Sequence, residues 1–292
     1  MKKKSKNKNG PSLLIAVGIV LAGMALTAYP FVSNYFYEKE QEKIILDMDN
    51  TDPEAASLEA ERERAEAYNT YLLEENVILT DPFDPEAFAE KSDVAYEEIL
   101  NLYGNGLMGY LEIPAIDLTL GIYHGTSPKV LEEGVGHLEN SSLPVGGEST
   151  HSVLSAHTGL SDKKLFTDLI LLEEGDTFYI HVLDEILAYE VDQIKVVTPE
   201  DTSDLHVIAG RDLVTLVTCT PYGVNSHRLL VRGTRIPYVP EEKAQEEKSS
   251  FWTGSPWMRQ YVKAILAGLA CAVFLFLAGT YIGRRRKNEK KG

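Results

Sequence analysis

Long apolar runs near the two ends of the chain enclose a region in which apolar and polar residues alternate. Residues 12–29 and 264–282 contain no charged side chain and consist mostly of Leu, Ile, Val, Ala and Gly. At about 1.5 Å per residue, helices of these lengths reach roughly 27–28 Å. The hydrocarbon core of a bilayer is about 30 Å thick, so the pattern predicts transmembrane helices over residues 12–33 and 261–283.

Basic residues flank both apolar runs. Residues 1–11 carry five lysines, and residues 284–292 carry three arginines and three lysines. Because basic flanks prefer the cytoplasm, we expect a two-pass protein of the cell membrane with both tails cytoplasmic and the middle extracellular. The lipid bilayer is then a predicted partner. A cleaved signal peptide is the alternative for the first run, although no clean A-x-A site follows it.

The segments next to the two runs differ from the centre of the chain. Residues 34–79 are rich in Glu, Ala, Arg and Leu and predict an extracellular helical stalk with many exposed charges. Prolines early in residues 80–106 interrupt it, because proline excludes a continuous helix, and a short connecting helix is expected near 94–103. Residues 237–260 combine charge with Pro and Ser and predict a tether.

Residues 107–236 have the texture of a β domain. Short runs rich in Val, Ile, Leu, Thr and Tyr are separated by Gly, Pro and Asp, which is typical of strands. The predicted strands are 110–113, 118–123, 152–156, 177–182, 186–197, 213–219 and 228–236, with a helix near 163–171. Seven or eight strands with short helices predict a mostly β fold, a closed or nearly closed β-barrel.

Composition and charge exclude several classes of protein. Hydrophobic residues make up 44% and charged residues 25% of the 292-residue chain, which excludes a disordered or collagen-like protein. The net charge is −16, which argues against a nucleic-acid partner, because such a protein needs a basic face. Because both tails are basic, the acidic excess lies between the apolar runs, where it predicts a solvated acidic surface.

The two cysteines have different settings. Cys271 lies in the second apolar run, where a small packing role is expected. Cys219 is then the only thiol of the extracellular region and has no disulfide partner. An unpaired extracellular thiol is open to oxidation, so a catalytic or reactive role stands beside the alternative of a small buried residue.

A turn follows Cys219 and leads to an arginine. Residues 215–219 are strand-like, residues 221–225 contain Pro, Gly and Asn, and a second strand begins near Arg228. If the two strands are antiparallel, Arg228 returns toward Cys219. A guanidinium there would stabilise a thiolate and donate to an oxyanion. A surface charge is the alternative for Arg228 alone, and the combination with Cys219 favours function.

A thiol nucleophile also needs a partner that exchanges protons. Of the seven histidines, His157 ends an apolar strand and precedes a loop, a place where binding and catalytic groups are common. His124 and His151 remain rivals. His227 precedes Arg228 directly, so on a strand their side chains point to opposite faces.

One short motif is rejected on its context. Residues 104–109 read GNGLMG and fit G-x-G-x-x-G. The dinucleotide-binding motif follows a strand and opens a helix, whereas here a predicted helix precedes and a predicted strand follows.

The chain resembles the sortase family at three positions that come in the expected order. TLVTC at 215–219 is similar to the sortase TLxTC motif, SAH at 155–157 to the sortase histidine region, and Arg228, nine residues after Cys219, to the sortase arginine. Thr158 departs from the pattern, since an arginine often follows the histidine. The resemblance implies a sortase-like closed β-barrel with Cys219, His157 and Arg228 as catalytic residues.

Further segments resemble the class C, pilin-polymerising sortases. These are CTPYGVN at 219–225, HRLLV at 227–231 and the DPF sequence of Asp81, Pro82 and Phe83, which is similar to the class C lid motif. The lid resemblance implies that Asp81 pairs with Arg228 and that Phe83 covers Cys219.

The resemblance implies a membrane-anchored cysteine transpeptidase of Gram-positive type. Its partners would be pilin or surface-protein substrates with LPXTG-like sorting signals, cleaved between Thr and Gly, and the acceptor would be a pilin lysine. A peptidoglycan precursor is the alternative acceptor, as in sortases that anchor surface proteins to the cell wall. No metal or organic cofactor is implied. A non-enzymatic, membrane-tethered peptide-binding domain is the alternative from a different class.

Overall fold

The structure is a computed structural model that describes residues 10–51, 54–75, 77, 79–84, 94–158, 160, 162–240, 263, 265–270 and 273. The two basic tails, most of the second predicted span and most of the predicted tether lie outside these residues, apart from positions 10 and 11 at the start of a helix. Within the described part of the chain, no helix combines the length and the apolar character that crossing a bilayer requires.

The helices stand mainly before the strands. They are α1 (Gly10–Asp49), α2 (Ala55–Glu75), α3 (Val94–Glu98) and α4 (Pro128–Glu133). Within the described residues, three short 3-10 helices cover Pro114–Ile116, Leu165–Leu171 and Ser203–Leu205. Ser127 begins α4 by accepting a hydrogen bond from the Val130 amide, and Pro128 suits the first turn because its missing N–H would be unpaired there.

Eight strands form a closed barrel. They are β1 (Leu107–Ile113), β2 (Leu118–His124), β3 (Val135–His137), β4 (Thr150–Ser155), β5 (Thr177–Val182), β6 (Glu185–Val197), β7 (Asp212–Thr220) and β8 (His227–Ile236). Their order around the barrel is β1-β2-β3-β4-β7-β8-β6-β5, and β5 pairs with β1 to close it. The β2–β3 and β4–β7 pairs are parallel, and the others are antiparallel.

Alternation along the strands divides their side chains between the barrel interior and an outer groove. Leu154, Leu216 and Val231 belong to the main buried core. The alternate residues Val153 and Val217 belong to a second, smaller apolar cluster on the other face. Since successive strand side chains point to opposite faces, one sheet region builds both the core and the floor of this groove.

The sequence prediction of a mostly β closed barrel is confirmed, with some differences in its elements. β3 was missed because three residues carry too little alternation to be recognised. The predicted helix near 163–171 is a 3-10 helix, and α3 is shorter than expected. In the GNGLMG segment, Gly109 lies in β1, where a Cβ atom would collide with the His181 carbonyl oxygen of β5, so its glycine serves strand packing.

The predicted stalk is corrected by the packing of its helices. Residues 34–49 continue α1, and Tyr37 and Met48 are buried where α1 meets the barrel. In α2, Ala65 is fully buried, and Asn69 exchanges hydrogen bonds with the Leu143 backbone. Exposed charges dominate the pattern of these helices and hide the narrow stripe that contacts the barrel.

Candidate active site

Cys219 and Arg228 lie directly opposite each other on adjacent strands. Residues 219 and 228 are partners in the antiparallel β7–β8 pair, so their side chains share one face. The turn between them is compact, since the amides of Val224 and Asn225 both donate to the Pro221 carbonyl oxygen. The Cys219 thiol is half-buried, and Arg228 is buried. The sequence prediction that the turn returns Arg228 to Cys219 is confirmed.

His157 comes to the same end of the barrel from another strand. The parallel β4–β7 register pairs Ser155 with Val217, and two further residues along each strand bring His157 level with Cys219. The Ala156 amide donates to the Val217 carbonyl oxygen, and the Thr218 hydroxyl donates to the Ala156 carbonyl oxygen over 2.8 Å. His157 follows Ser155 by two residues and Cys219 follows Val217 by two, so both lie at the same end of the barrel.

The rival histidines make structural contacts. Both ring nitrogens of His124 lie within 2.9 Å of backbone carbonyl oxygens of the segment that precedes β1. His151 is buried between the Thr215 hydroxyl and the His206 carbonyl oxygen. Burial lowers its pKa to about 4. His227 contacts the neighbouring Ser226 hydroxyl at the exposed turn.

Burial moves the two reactive groups toward their neutral forms. It raises the pKa of the Cys219 thiol, against which the positive charge of Arg228 acts, while the Asp81 carboxylate raises it further. Burial lowers the pKa of His157, and the charge of Glu132 partly offsets this. With residues 80–84 in place, both shifts in pKa favour the neutral thiol and the neutral imidazole.

A segment from the region before the barrel covers this site. Asp81 forms a two-bonded ion pair with Arg228, in which Nε and one terminal nitrogen donate over 2.8 and 2.6 Å. Both side chains are largely shielded from solvent. The remaining terminal nitrogen of Arg228 donates to the backbone carbonyl oxygens of Asn225 and His227. The covering segment and the turn thus engage all three nitrogens of the guanidinium.

Pro82 and Phe83 complete the cover. Pro82 is buried, and the Phe83 ring lies 5.8 Å from the His157 ring and 5.2 Å from the Arg228 guanidinium carbon. The structure therefore brings Phe83 against His157 and Arg228, whereas the sequence expectation named Cys219 as the residue it covers. A cavity of about 450 Å³ lies between this segment, Arg228 and the 199–202 loop.

Leu79 extends the cover into the outer groove, and sequence reasoning missed it. It is buried in the smaller apolar cluster with Val153 and Val217 of the groove floor, and with Leu138, Leu205 and Leu230. The apolar Val-Ile-Leu run at 77–79, which follows a charged helix, was an available signal. We call residues 79–84 the lid.

Glu132 of α4 was also missed, since no local pattern connects it with a histidine that lies 25 positions further along the chain. Among the residues that the structure describes, no three His, Cys, Asp or Glu side chains gather as a metal site would require.

A single thiol, an imidazole and a guanidinium at one end of a closed eight-stranded barrel are the features of a cysteine transpeptidase. Residues 111–236 match the model of the sortase domain family. Among curated proteins, sortase D of Bacillus subtilis is 33% identical over 131 residues, which cover 44% of this chain and 63% of the relative. Sortase A of Bacillus anthracis is 24% identical over 79% of this chain and 97% of the relative.

Solved structures extend the similarity. Sortase C-1 of Streptococcus pneumoniae is 46% identical, with a TM-score of 0.62, over 68% of this chain and all of that chain. Sortase C-1 of Actinomyces oris is 48% identical, with a TM-score of 0.58, over 63% of this chain and 99% of that chain. A pilus-related sortase C of Group B Streptococcus is 43% identical, with a TM-score of 0.60, over 68% of this chain and 97% of that chain. The chain belongs to the sortase family, and the resemblance to class C members is confirmed.

Proposed function

We propose that the protein is a membrane-anchored sortase that joins pilin subunits, with Cys219 as nucleophile, His157 as general acid and base, and Arg228 as the group that holds substrate and oxyanion. The observation that carries this proposal is the convergence of these three side chains beneath the lid. The similarity to a pilus-related sortase C supports a pilin as substrate.

The first half-reaction cleaves the sorting signal. His157 accepts the proton of the Cys219 thiol, and the resulting thiolate attacks the carbonyl carbon of Thr in an LPXTG-like signal, while Arg228 donates hydrogen bonds to the oxyanion that forms. The Thr–Gly bond breaks as the His157 imidazolium gives its proton to the departing Gly amine. A thioester between Cys219 and the substrate remains.

The second half-reaction reverses the proton transfer. A lysine amine of the next pilin attacks the thioester, neutral His157 accepts a proton from that amine, and the Cys219 thiolate departs. The product is an amide bond between two proteins. No redox or metal-dependent step is needed to balance the two half-reactions.

The lid closes the site between reactions. Asp81 occupies the Arg228 donors that the oxyanion and substrate need, and Phe83 lies against His157. A sorting signal must therefore displace the lid before acylation, as lids do in other enzymes.

Two membrane spans, 12–33 and 261–283, would hold the barrel at the outer face of the cell membrane. Their support is the pair of uncharged runs with basic flanks and the positive-inside rule. Protease added to right-side-out vesicles should cut the barrel and spare both tails, and cleavage of either tail contradicts this topology.

Acyl-enzyme capture tests the catalytic assignment. The full chain, in detergent, is incubated with an LPXTG-like peptide and analysed by intact mass spectrometry. We expect a thioester adduct that Cys219→Ala abolishes. Cys271→Ala, which removes the other cysteine, is the control and should keep the adduct.

The acceptor distinguishes the alternatives. Transfer to a pilin lysine supports polymerisation, whereas transfer only to a peptidoglycan-type amine favours anchoring to the cell wall. Peptide binding that remains unchanged in Cys219→Ala, with no adduct in the parent protein, would identify a binding domain in place of an enzyme.

A further inference from the structure

Helix α1 presents three buried polar side chains to the barrel. Asn34, Tyr37 and Gln41 recur at helical spacing on one face and expose 2%, 7% and 2% of their surface. Apolar residues would suffice to hold a helix against a barrel. Buried polar groups additionally require partners in defined directions, so this face specifies where its neighbours lie.

Two of these side chains bind the end of α4. The Tyr37 hydroxyl donates to the Glu133 carbonyl oxygen over 2.9 Å, and Gln41 Nε2 donates to the same oxygen over 3.0 Å. Glu133 is the last residue of α4, where carbonyl groups lack partners within the helix. Gln41 Oε1 accepts from the Gly121 amide of β2 over 3.0 Å. Helix α1 thus ties α4 to the barrel wall.

The same face binds the segment that follows β4. Asn34 Oδ1 accepts from the Lys164 amide over 2.8 Å. The Lys163 ammonium lies 5.1 Å from the centre of the Tyr37 ring and donates to the Glu132 carbonyl oxygen over 2.5 Å. These contacts join α1, α4 and residues 163–164 in one network.

Both segments that α1 holds act on His157. Two residues beyond Lys164, the Phe166 amide donates to the His157 carbonyl oxygen over 3.0 Å. From α4, the negative charge of Glu132 raises the pKa of His157 against the effect of burial. One segment therefore fixes the backbone of the histidine, and the other sets the charge that it experiences.

We propose that α1 is a positioning element for catalysis, in which Asn34 and Tyr37 hold the 163–166 segment and α4 in the arrangement that His157 needs. The two side chains do not touch the substrate and act only through these neighbours. The helix that contains the first predicted span then also supports the acid and base of the reaction. This inference rests on the proposed role of His157.

The chain offers a matched control on the other docked helix. Asn69 of α2 is 4% exposed and, like Asn34, binds barrel backbone through its amide group, here at Leu143. Its contacts reach the loop between β3 and β4, outside the network that leads to His157. Asn34→Ala and Asn69→Ala therefore remove comparable packing at different places.

The experiment measures kcat, KM and the pH dependence of acylation for the full chain in detergent. We expect Asn34→Ala to lower kcat by about tenfold, since small misplacements of a catalytic group have large effects on rate, with KM unchanged. Tyr37→Phe, which keeps the ring but loses the hydrogen bond to the Glu133 carbonyl oxygen, should lower kcat to a smaller degree. In this variant the limb of the pH profile that depends on His157 should move to lower pH, because Glu132 of the loosened α4 favours the imidazolium less.

The control separates positioning from stability. Asn69→Ala should lower the melting temperature about as much as Asn34→Ala and leave kcat and the pH limb unchanged. Equal kinetic effects in both variants, or none in Asn34→Ala and Tyr37→Phe, would overturn the inference. If Asn34→Ala does not fold, the comparison of kcat and the pH limb between Tyr37→Phe and Asn69→Ala tests the inference instead. Retained acylation in His157→Ala would instead contradict the proposed function itself.

Discussion

Asp81 controls the charge balance around Cys219. The guanidinium of Arg228 favours the thiolate, but the carboxylate paired with it raises the pKa of the thiol. In the proposed mechanism, lid closure does more than block access, because it also neutralises the positive charge that favours the thiolate. Opening of the lid would free that charge when the sorting signal binds.

Asp81→Asn should lower the pKa of Cys219, since the amide keeps the shape of the side chain and removes the negative charge. More thiolate is then present at a given pH, and the rate of alkylation by a small reagent should rise at lower pH than in the parent protein. The alkylation rate, followed by mass spectrometry from pH 5 to 10, gives the pH midpoint at which half of the thiol is ionised.

Asp84→Asn is the control for this charge effect, because it removes a second carboxylate of the lid. Its midpoint should stay close to that of the parent. An unchanged midpoint in Asp81→Asn would show that the carboxylate does not govern the thiol.

The lid is held by three different kinds of contact. Asp81 provides an ion pair, Phe83 a ring contact with His157, and Leu79 an apolar plug in the outer groove. The groove floor comes from β4, β7 and β8, the strands that carry the reactive groups. Displacement of the lid must therefore expose apolar surface next to Cys219, a surface suited to an apolar residue of the substrate.

Leu79→Ala should weaken lid closure. Loss of a buried leucine side chain costs about 2 kcal/mol or more, so alkylation of Cys219 should become about tenfold faster or more. Phe83→Ala should act in the same direction. The melting temperature of the barrel should change little, because the lid lies outside its interior.

Leu73→Ala, at an exposed position of α2, is the matched control and should leave the alkylation rate unchanged. If Leu79→Ala and Phe83→Ala also alkylate at the parent rate, the lid does not limit access to the thiol.

At the scale of the whole molecule, buried histidines connect the barrel with its surroundings. His137 lies between the Tyr96 hydroxyl of the connecting segment and the Ser142 carbonyl oxygen. His151 links β4 to β7 through Thr215. Burial lowers the pKa of each to about 4, so both are neutral in the folded protein near neutral pH.

Protonation of these histidines should destabilise the fold. The unfolded chain takes up their protons near pH 6.5, and the folded protein resists this until about pH 4. As the pH is lowered from about 6.5 to about 4, the free energy of unfolding should therefore fall by about 3 kcal/mol for each histidine. Denaturant unfolding at several pH values measures it.

His151→Gln should make the pH dependence of stability less steep, and His206→Gln, at an exposed position, should not. Equal steepness in all three proteins would rule out a contribution from His151.

Local patterns in the sequence determined the features that depend on neighbouring residues. Alternation of apolar and polar residues identified seven of the eight strands, since successive side chains of a strand point to opposite faces that differ in burial. The sequence also predicted that Cys219 and Arg228 lie close together, because only a short turn separates the two strands that carry them. The Asp-Pro-Phe sequence at 81–83 was noticed through its resemblance to a family, and its contact with Arg228 over 147 positions is not encoded locally.

The residue pattern alone left several histidines open, the family resemblance pointed to His157, and only the tertiary structure showed what the rival histidines bind and what supports the site. The parallel pairing of β4 with β7 joins residues about 60 positions apart, and it separates His157 from His151 by register. The buried faces of α1 and α2, the plug formed by Leu79 and the charge of Glu132 beside His157 depend on which surfaces meet after folding. Long-range strand pairing and helix docking bring these groups together, because contacts between distant residues form only once the chain is compact.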